Sequence, residues 1–385
     1  MTAEGSVSSA AALIIGMDSH GLAVARALAA QGVTVYALER DASLPGAASR
    51  YVSRVFTLPD FTEDHLLPAL RRVRIELAAI GRLVLFPMND RQVGIVAHHI
   101  DEIGAIYRIS WSASADVVLR LQRKDSLEKA SHDQGLNYPR SVVFDQAADS
   151  NNADGFRFPV ILKPVQPLSS FKTHVAHSLP EVDAFVRQKT HDLPILCQEY
   201  IEGGDEALYF GELLLDRGKS LFGMTGRKVL SHPPGQGQAT VAETFEDAEV
   251  LKLTEQFFAG SGLSGPAALE LKRDPQGRFW VIEPTIGRTE FLVELCIAAG
   301  FNQPWMEFQL ACGRPVALPA QIEPRMWCDT ERDPLVYARL CIAARSWRPR
   351  RKKAVFPYVG HGDSGPVLRA WKRFVGQRLR RLVGG

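Results

Sequence analysis

The start of the chain restricts the fold more than any other stretch. Ala11–Ile15 is an uninterrupted apolar run that ends at Gly16, as a strand covered on both faces of a parallel sheet should read. Gly21–Ala30 carries apolar residues at helical spacing and stops at Gly32, and Val33–Leu38 reads as a second strand. Leu83–Phe86, closed by Pro87, reads as another buried strand, with a polar-to-helical stretch over Asp64–Leu77 before it. Strands alternating with helices predict an open α/β domain, and its end falls near residue 115.

The rest of the chain has a different grammar. Ser114–Ala130 has a helical pattern, Tyr138–Phe144 and Phe158–Leu162 read as strands, and Pro180–Lys189 reads as a short helix opened by its proline. Ile195–Ile201 is a strand broken at Gly203-Gly204. Ala207–Leu215 and Ser220–Val229 flank Asp216-Arg217-Gly218-Lys219, which has hairpin-turn chemistry. A second hairpin joins Ala267–Lys272 to Arg278–Glu283 about Asp274-Pro275-Gln276-Gly277, and helices are predicted over Ala248–Phe258 and Phe291–Ala299. Antiparallel pairs mixed with helices predict an α+β second half.

Composition excludes several classes. The 385 residues are 46% hydrophobic and 23% charged, so disorder is ruled out, and no apolar run approaches the roughly 20 residues of a membrane span. The five cysteines, Cys197, Cys296, Cys312, Cys328 and Cys341, are irregularly spaced and predict reduced, mostly buried thiols. The first twelve residues lack the basic segment of a secretion signal, which predicts a cytoplasmic chain. Charge is uneven: residues 345–385 hold 12 Lys/Arg and one Asp, leaving 33 Lys/Arg against 42 Asp/Glu in the body.

The candidate chemistry gathers on the second hairpin. Side chains alternate along a strand, so Glu270 and Lys272 share one face of it. Glu283 ends the partner strand, and antiparallel pairing would bring the two carboxylates together, where they need a cation such as Mg²⁺ between them. Lys163 ends the apolar run Phe158–Leu162 and is followed by proline, so its ammonium is placed as a point charge for phosphate. Gln198-Glu199-Tyr200-Ile201 runs into a double glycine, exposing backbone groups to an adenine edge, with Asp205 or Glu206 next in line for ribose hydroxyls. Arg227 and Lys228, ahead of a Pro/Gly-rich loop, suit an anionic substrate. Asn89 and Asp90 follow a parallel strand, where open α/β sheets bind ligands, and are candidate substrate contacts.

Taken in order, Lys124, apolar-Lys163-Pro, Gln198–Glu206, Leu-Glu270-Leu-Lys272 and Ile-Glu283-Pro-Thr285-Ile-Gly-Arg288 resemble the ATP-grasp superfamily over roughly residues 10–330, nearest its carboxylate–amine ligases. The resemblance implies a Rossmann-like α/β domain (1–115), a small ATP-grasp subdomain (116–195), a large subdomain with the metal site (196–344) and a basic tail (345–385). It implies that Lys124 and Lys163 hold ATP phosphates. Gln198, Glu199, Tyr200 and Ile201 would form the adenine hinge, and Asp205 or Glu206 the ribose contact. Glu270 and Glu283 would hold Mg²⁺, with Mn²⁺ the alternative. Thr285 stands where the family usually has Asn, and Arg288 falls one residue later than the common arginine. Arg288, Lys272, Arg227 and Lys228 would offset charge on the transferred phosphoryl group. The loop after Lys163 lacks the family's glycines, so Ser169, Ser170 and Lys172 supply donors there or the loop serves as a lid. The reaction implied joins a carboxylate to an amine through an acyl phosphate, with no side-chain nucleophile.

Two rivals stand beside this reading. A nicotinamide-dependent oxidoreductase is suggested by Gly16-Met17-Asp18-Ser19-His20-Gly21 after a strand, with Glu39 ending the next; Asp18, however, occupies the place of the second fingerprint glycine. A nucleotide-binding protein without turnover is the other, suggested by Thr285 and the missing glycines. His20, His98, His99 and His232 are scattered and read as structural or surface residues. In the tail, Leu368, Trp371, Phe374, Val375, Leu379 and Leu382 recur at near-helical spacing among basic residues, which predicts a helix lying on an anionic membrane surface; docking on the body and nonspecific nucleic-acid contact are the alternatives.

Overall fold

The computed structural model describes residues 10–165, 169–235, 237–333, 335–336, 339–340, 353–360 and 362–383. The N-terminal sheet contains β1 (Ala11–Ile15), β2 (Thr34–Glu39), β3 (Val52–Thr57) and β4 (Val84–Pro87), all parallel, in the order β3-β2-β1-β4. β1 is buried along its whole length because both faces are covered. Leu13 and Ile15 pack with Leu66, Leu70 and Val73 of the helix Glu63–Glu76. Ala12 and Ile14 face Val24 and Leu28 of the helix Ser19–Ala29. Val293 and Phe308, from helices nearly 300 residues further along, complete that second face. Burying Phe308 there stabilises the contact by about 2–3 kcal/mol, so the end of the large subdomain is fixed to the first sheet.

The second sheet is antiparallel: β5 (Ser141–Phe144), β6 (Val160–Pro164), β7 (His174–Ala176) and β8 (Ile195–Glu199), in the order β5-β8-β6-β7. β8 lies between β5 and β6, so the small sheet extends to Glu199 and a boundary at residue 195 cuts through one of its strands. The helix Leu179–Gln188 covers it with Val182 and Val186. The pattern predicted as one helix over Ser114–Ala130 is two, Ala115–Leu121 and Leu127–Asp133. Between them Arg123 pairs with Asp125, and the Ser126 hydroxyl donates to the Arg120 and Arg123 carbonyls, local bonds that compete with the helix ladder. Lys124 stands at this break.

The third sheet has β9 (Leu208–Asp216), β10 (Lys219–His232), β11 (Gln238–Thr244), β12 (Gly265–Arg273), β13 (Phe279–Ile286), β14 (Arg325–Cys328) and β15 (Lys353–Val355), in the order β13-β12-β9-β10-β11-β14-β15. At the β9–β10 turn, Arg217 and Gly218 both have positive φ (50° and 76°), the backbone that a two-residue hairpin demands. β15 lies within the basic tail, so part of that tail is an edge strand of the sheet. The tail continues into the helix Ser364–Val383, which packs by its first turns on Pro45–Ala48. Asp363, just before this helix, is buried and accepts from Arg26 Nε (3.0 Å), Ser49 Oγ (2.7 Å) and the Arg50 amide (3.0 Å). Cys197, Cys296 and Cys328 are buried free thiols and Cys312 is half-buried; Cys341 lies outside the described residues. Among the described residues no helix is long and apolar enough to cross a membrane.

Candidate active site

The floor of the site is the β12–β13 hairpin. Its turn is held by Asp274, whose carboxylate accepts from the Gln276 and Arg278 amides (3.0 and 2.8 Å) and from Trp280 Nε1 (2.9 Å). From that turn the register runs regularly to Leu271 opposite Val281, and then slips by one residue. The extra residue is Ile282, and the bulge sets Glu283, rather than Ile282, opposite Glu270. Burial raises the Glu270 carboxyl above its ordinary value; Lys228 opposes that rise, and Glu283 adds to it by like-charge repulsion.

Four lysines surround this carboxylate pair. Lys124 Nζ lies 3.6 Å from Glu283 Oε1. Lys163, from β6, donates to Gln198 Oε1 (3.1 Å) on the neighbouring strand β8; burial lowers its proton affinity, offset in part by Glu283 and Glu270. Lys272 Nζ sits 4.5 Å from the centre of the Tyr200 ring, and burial lowers its affinity for a proton as well. Lys228 Nζ bonds to the Gly237 carbonyl (2.9 Å) and lies 3.2 Å from Asp205 Oδ1. These groups line one cavity of about 750 Å³ between the second and third sheets, with Gln198, Glu199, Tyr200, Ile201 and Thr285. Ile161, Leu208 and Phe210 form apolar wall, and Ser169 and Lys172 stand at the loop side. The Ile201 amide has no bonding partner among the described residues, beside a strand that ends there. An apolar slot next to a strand end, leading to lysines and paired carboxylates, can take a flat ring at one end and a polyanion with a divalent cation at the other.

The far end of the cavity is acidic around one arginine. Arg288 Nε donates to Asp90 Oδ1 at 2.6 Å, bridging the third sheet to the N-terminal domain. Glu290 lines the same end, and burial pushes its carboxyl up to about 7, with Arg288 opposing. Glu212 lies opposite Ala268, which is itself opposite Thr285, one cross-strand row beyond Glu270. It is fully buried, neither carboxylate oxygen has a partner among the described residues, and burial with the nearby Glu290 raises it well above its ordinary value. His20 Nε2 meets Thr289 Oγ1 at 2.7 Å; burial lowers this imidazole to about 4 and leaves it neutral.

By sequence, no protein-family model and no curated protein matches the chain. By structure, it is similar to an N5-carboxyaminoimidazole ribonucleotide synthetase solved as an ADP complex (TM-score 0.67, 13% identity, 83% of this chain and 81% of the other). It is similar to an L-amino acid ligase from Bacillus licheniformis (TM-score 0.62, 19% identity, 82% and 78%). A biotin carboxylase from Campylobacter jejuni, solved as a β,γ-ATP complex, is also similar (TM-score 0.64, 15% identity, 82% and 74%). The chain has the ATP-grasp fold.

Not every residue that the motifs single out reaches the cavity. Arg227 and Lys228 are adjacent on β10 and so face opposite sides; Lys228 enters the cavity, whereas Arg227 bonds Glu243 at 2.7 Å and stacks over Phe245. Asp205 turns inward to Lys228 and accepts from Ser231 Oγ (2.8 Å), and neither it nor Glu206 lines the cavity. The turn at Gly203 explains this: its φ is +127° and a Cβ there would meet Ala207 at 2.6 Å, so the chain doubles back before either acid. Ser170 is held away from the cavity by Asp192, through its amide (2.7 Å) and its hydroxyl (2.6 Å). Asn89 caps the helix Asp90–His98 by accepting from the Gln92 amide at 3.0 Å, leaving Asp90 as the contact from that pair.

At the N-terminal glycine turn, Asp18 accepts from the His20 and Gly21 amides (3.0 and 3.1 Å), and Glu39 accepts from the Met17 amide (2.6 Å). The amides a dinucleotide pyrophosphate would need are already bonded to the protein's own carboxylates, which removes the oxidoreductase reading's phosphate site. Glu290, which lines the cavity, and Glu212, buried one cross-strand row beyond Glu270 without lining it, are acids that the motifs did not point to. A carboxylate inside the otherwise apolar run Leu208–Leu215 was the available signal for Glu212.

Proposed function

We propose that this chain is an ATP-dependent ligase that activates a carboxylate as an acyl phosphate and joins it to an amine. The observation that carries the reading is the opposed pair Glu270–Glu283 beside Lys124 and Lys163, in one cavity with the Gln198–Ile201 strand end. In this reading adenine lies against the strand end, and the phosphates extend to Lys163 and Lys124. The solved relatives with bound ADP or an ATP analogue support that placement.

Glu270 and Glu283 would hold Mg²⁺, or Mn²⁺ in its place, and two facing carboxylates suit such a hard cation. Thr285 supplies a hydroxyl in the next row. The ion contributes positive charge at the phosphates; the lysines hold them in place, and Arg288 steadies the transferred group. A carboxylate oxygen of the acid substrate attacks the γ-phosphorus and ADP leaves. The amine nitrogen then attacks the acyl carbon, inorganic phosphate leaves, and the amine sheds a proton. Glu290, which faces the cavity with a carboxyl near 7, is suited to take that proton. The reading places the reaction in the cytoplasm, where ATP is available.

The test is a screen of amino acids and sugar acids, paired with amines, for phosphate release from ATP. An ¹⁸O label in the acid should appear in the released phosphate, and Glu283→Gln should abolish both signals. ATP binding with no acid-dependent turnover and no label transfer would leave a nucleotide-binding protein without ligase activity.

A further inference from the structure

The C-terminal helix is docked the opposite way round from an ordinary amphipathic helix. Its polar side meets the body: Arg369 donates to the Ala42 carbonyl (2.6 Å), Arg373 donates to Asp41 (3.0 Å) and Ser43 (2.8 Å), and Pro366 is buried between. Asp363 fixes the helix start through Arg26, Ser49 and Arg50. Residues three and four apart share a helix face, so Leu368, Trp371 and Val375 form a stripe on the other side, which Leu379 and Leu382 extend in the sequence. Leu368 and Trp371 are 59% and 66% exposed. Lys372, also exposed, stands beside them.

We infer that this outward face is a docking surface for an anionic lipid bilayer, with Trp371 and Leu368 entering the headgroup layer. Apart from Arg369 and Arg373, which are turned to the body, the helix has four Lys/Arg and no acid over Ser364–Val383, and the run Arg345–Lys353 adds more positive charge nearby in the sequence. Two such faces in a dimer would bring like charges together, which disfavours a second copy as the occupant. A nucleic-acid backbone would satisfy the charges and gain nothing from an outward leucine beside them. A bilayer rich in anionic headgroups matches both, since it takes the indole and the leucine at the interface and the cations at the phosphates. The arginines that dock the helix to the body hold the stripe outward before any membrane is met, so little ordering is required on binding.

The experiment uses the full chain, sedimented with vesicles of phosphatidylserine mixed with phosphatidylcholine and with phosphatidylcholine alone. Binding should require the anionic lipid and weaken as salt rises. Trp371→Glu and Leu368→Glu should each weaken it at least about tenfold, whereas Trp371→Phe should keep most of it. Both positions are exposed, so the thermal midpoint should not move. Equal binding to both vesicle types, or binding untouched by Trp371→Glu, would overturn the inference. So would self-association abolished by Trp371→Glu in a protein that ignores vesicles, or duplex DNA that binds the wild-type and Trp371→Glu chains alike while vesicles do not.

Discussion

Two buried glutamates, one on the first sheet and one on the last, show how the same side chain serves structure in one place and chemistry in another. Glu39 ends β2 and accepts from the Met17, Arg40 and Asp41 amides at 2.6, 2.8 and 3.0 Å. Burial raises its carboxyl, and those amides hold the rise in check. Glu212, in the middle of β9, has no amide or cation bonded to it among the described residues, and burial carries its carboxyl well above the ordinary range. The N-terminal sheet thus satisfies its buried charge locally, whereas the last sheet carries an unsatisfied acid one cross-strand row from the cavity-lining Glu270. An unsatisfied buried carboxyl costs stability, so Glu212 weakens β9 where Glu39 does not weaken β2.

This contrast can be broken by substitution. Glu270→Gln should cut acid- and amine-dependent phosphate release about a thousandfold, with the unfolding midpoint unchanged or higher, because its charge is needed only with the ligands in place. Steady-state phosphate release and thermal unfolding, measured on the same sample, check this. Glu39→Gln should behave in reverse. It exchanges a charged acceptor for a neutral amide and should cost about 2 kcal/mol in denaturant unfolding, while turnover per folded molecule stays within about threefold. A thousandfold turnover loss from Glu39→Gln at full stability would erase the distinction between the two sheets.

Glu212→Gln sharpens the contrast through pH. The folded carboxyl binds its proton more tightly than the unfolded one, whose ordinary value is 4.5. Its favourable contribution is therefore complete below about pH 4.5 and is lost as pH rises toward the folded value. Glu212→Gln should be as stable as the wild type near pH 4.5 and more stable by at least about 1 kcal/mol at pH 8, measured by urea unfolding across that range. The smallest effect is expected at Arg227. Arg227→Gln should change turnover by less than about threefold, since its guanidinium serves Glu243 and Phe245 outside the cleft, and kcat/KM determination decides it.

The elements themselves were legible wherever one physical signal dominated. Ala248–Phe258 has the bounds its periodicity predicts, and Ala11–Ile15 is the buried parallel strand its apolar run announces. The charged motifs Lys124, Lys163, Gln198, Glu270 and Glu283 line one cavity, because a lysine or glutamate ending an apolar strand has few places to go. Finer placement was not written locally. The pairing of Glu270 with Glu283 depends on a one-residue bulge at Ile282, and strand alternation alone cannot announce an irregularity. Ser170 and Asp205 carry suitable chemistry but are claimed by partners distant in sequence, Asp192 and Ser231. Arg227 was separable from Lys228 by alternation along the strand already predicted over Ser220–Val229.

The Asp363 clamp has a consequence for how the chain comes to be folded. Ser49 and its acceptor are 314 residues apart. At about 5–20 residues per second, a ribosome delivers Asp363 roughly 15–60 s after Ser49 has been made. Through that interval the N-terminal sheet exists without the carboxylate that Arg26, Ser49 and the Arg50 amide share. The N-terminal sheet is therefore completed only after Asp363 has been made, and chains cut short before Asp363 should be the ones that quality control removes.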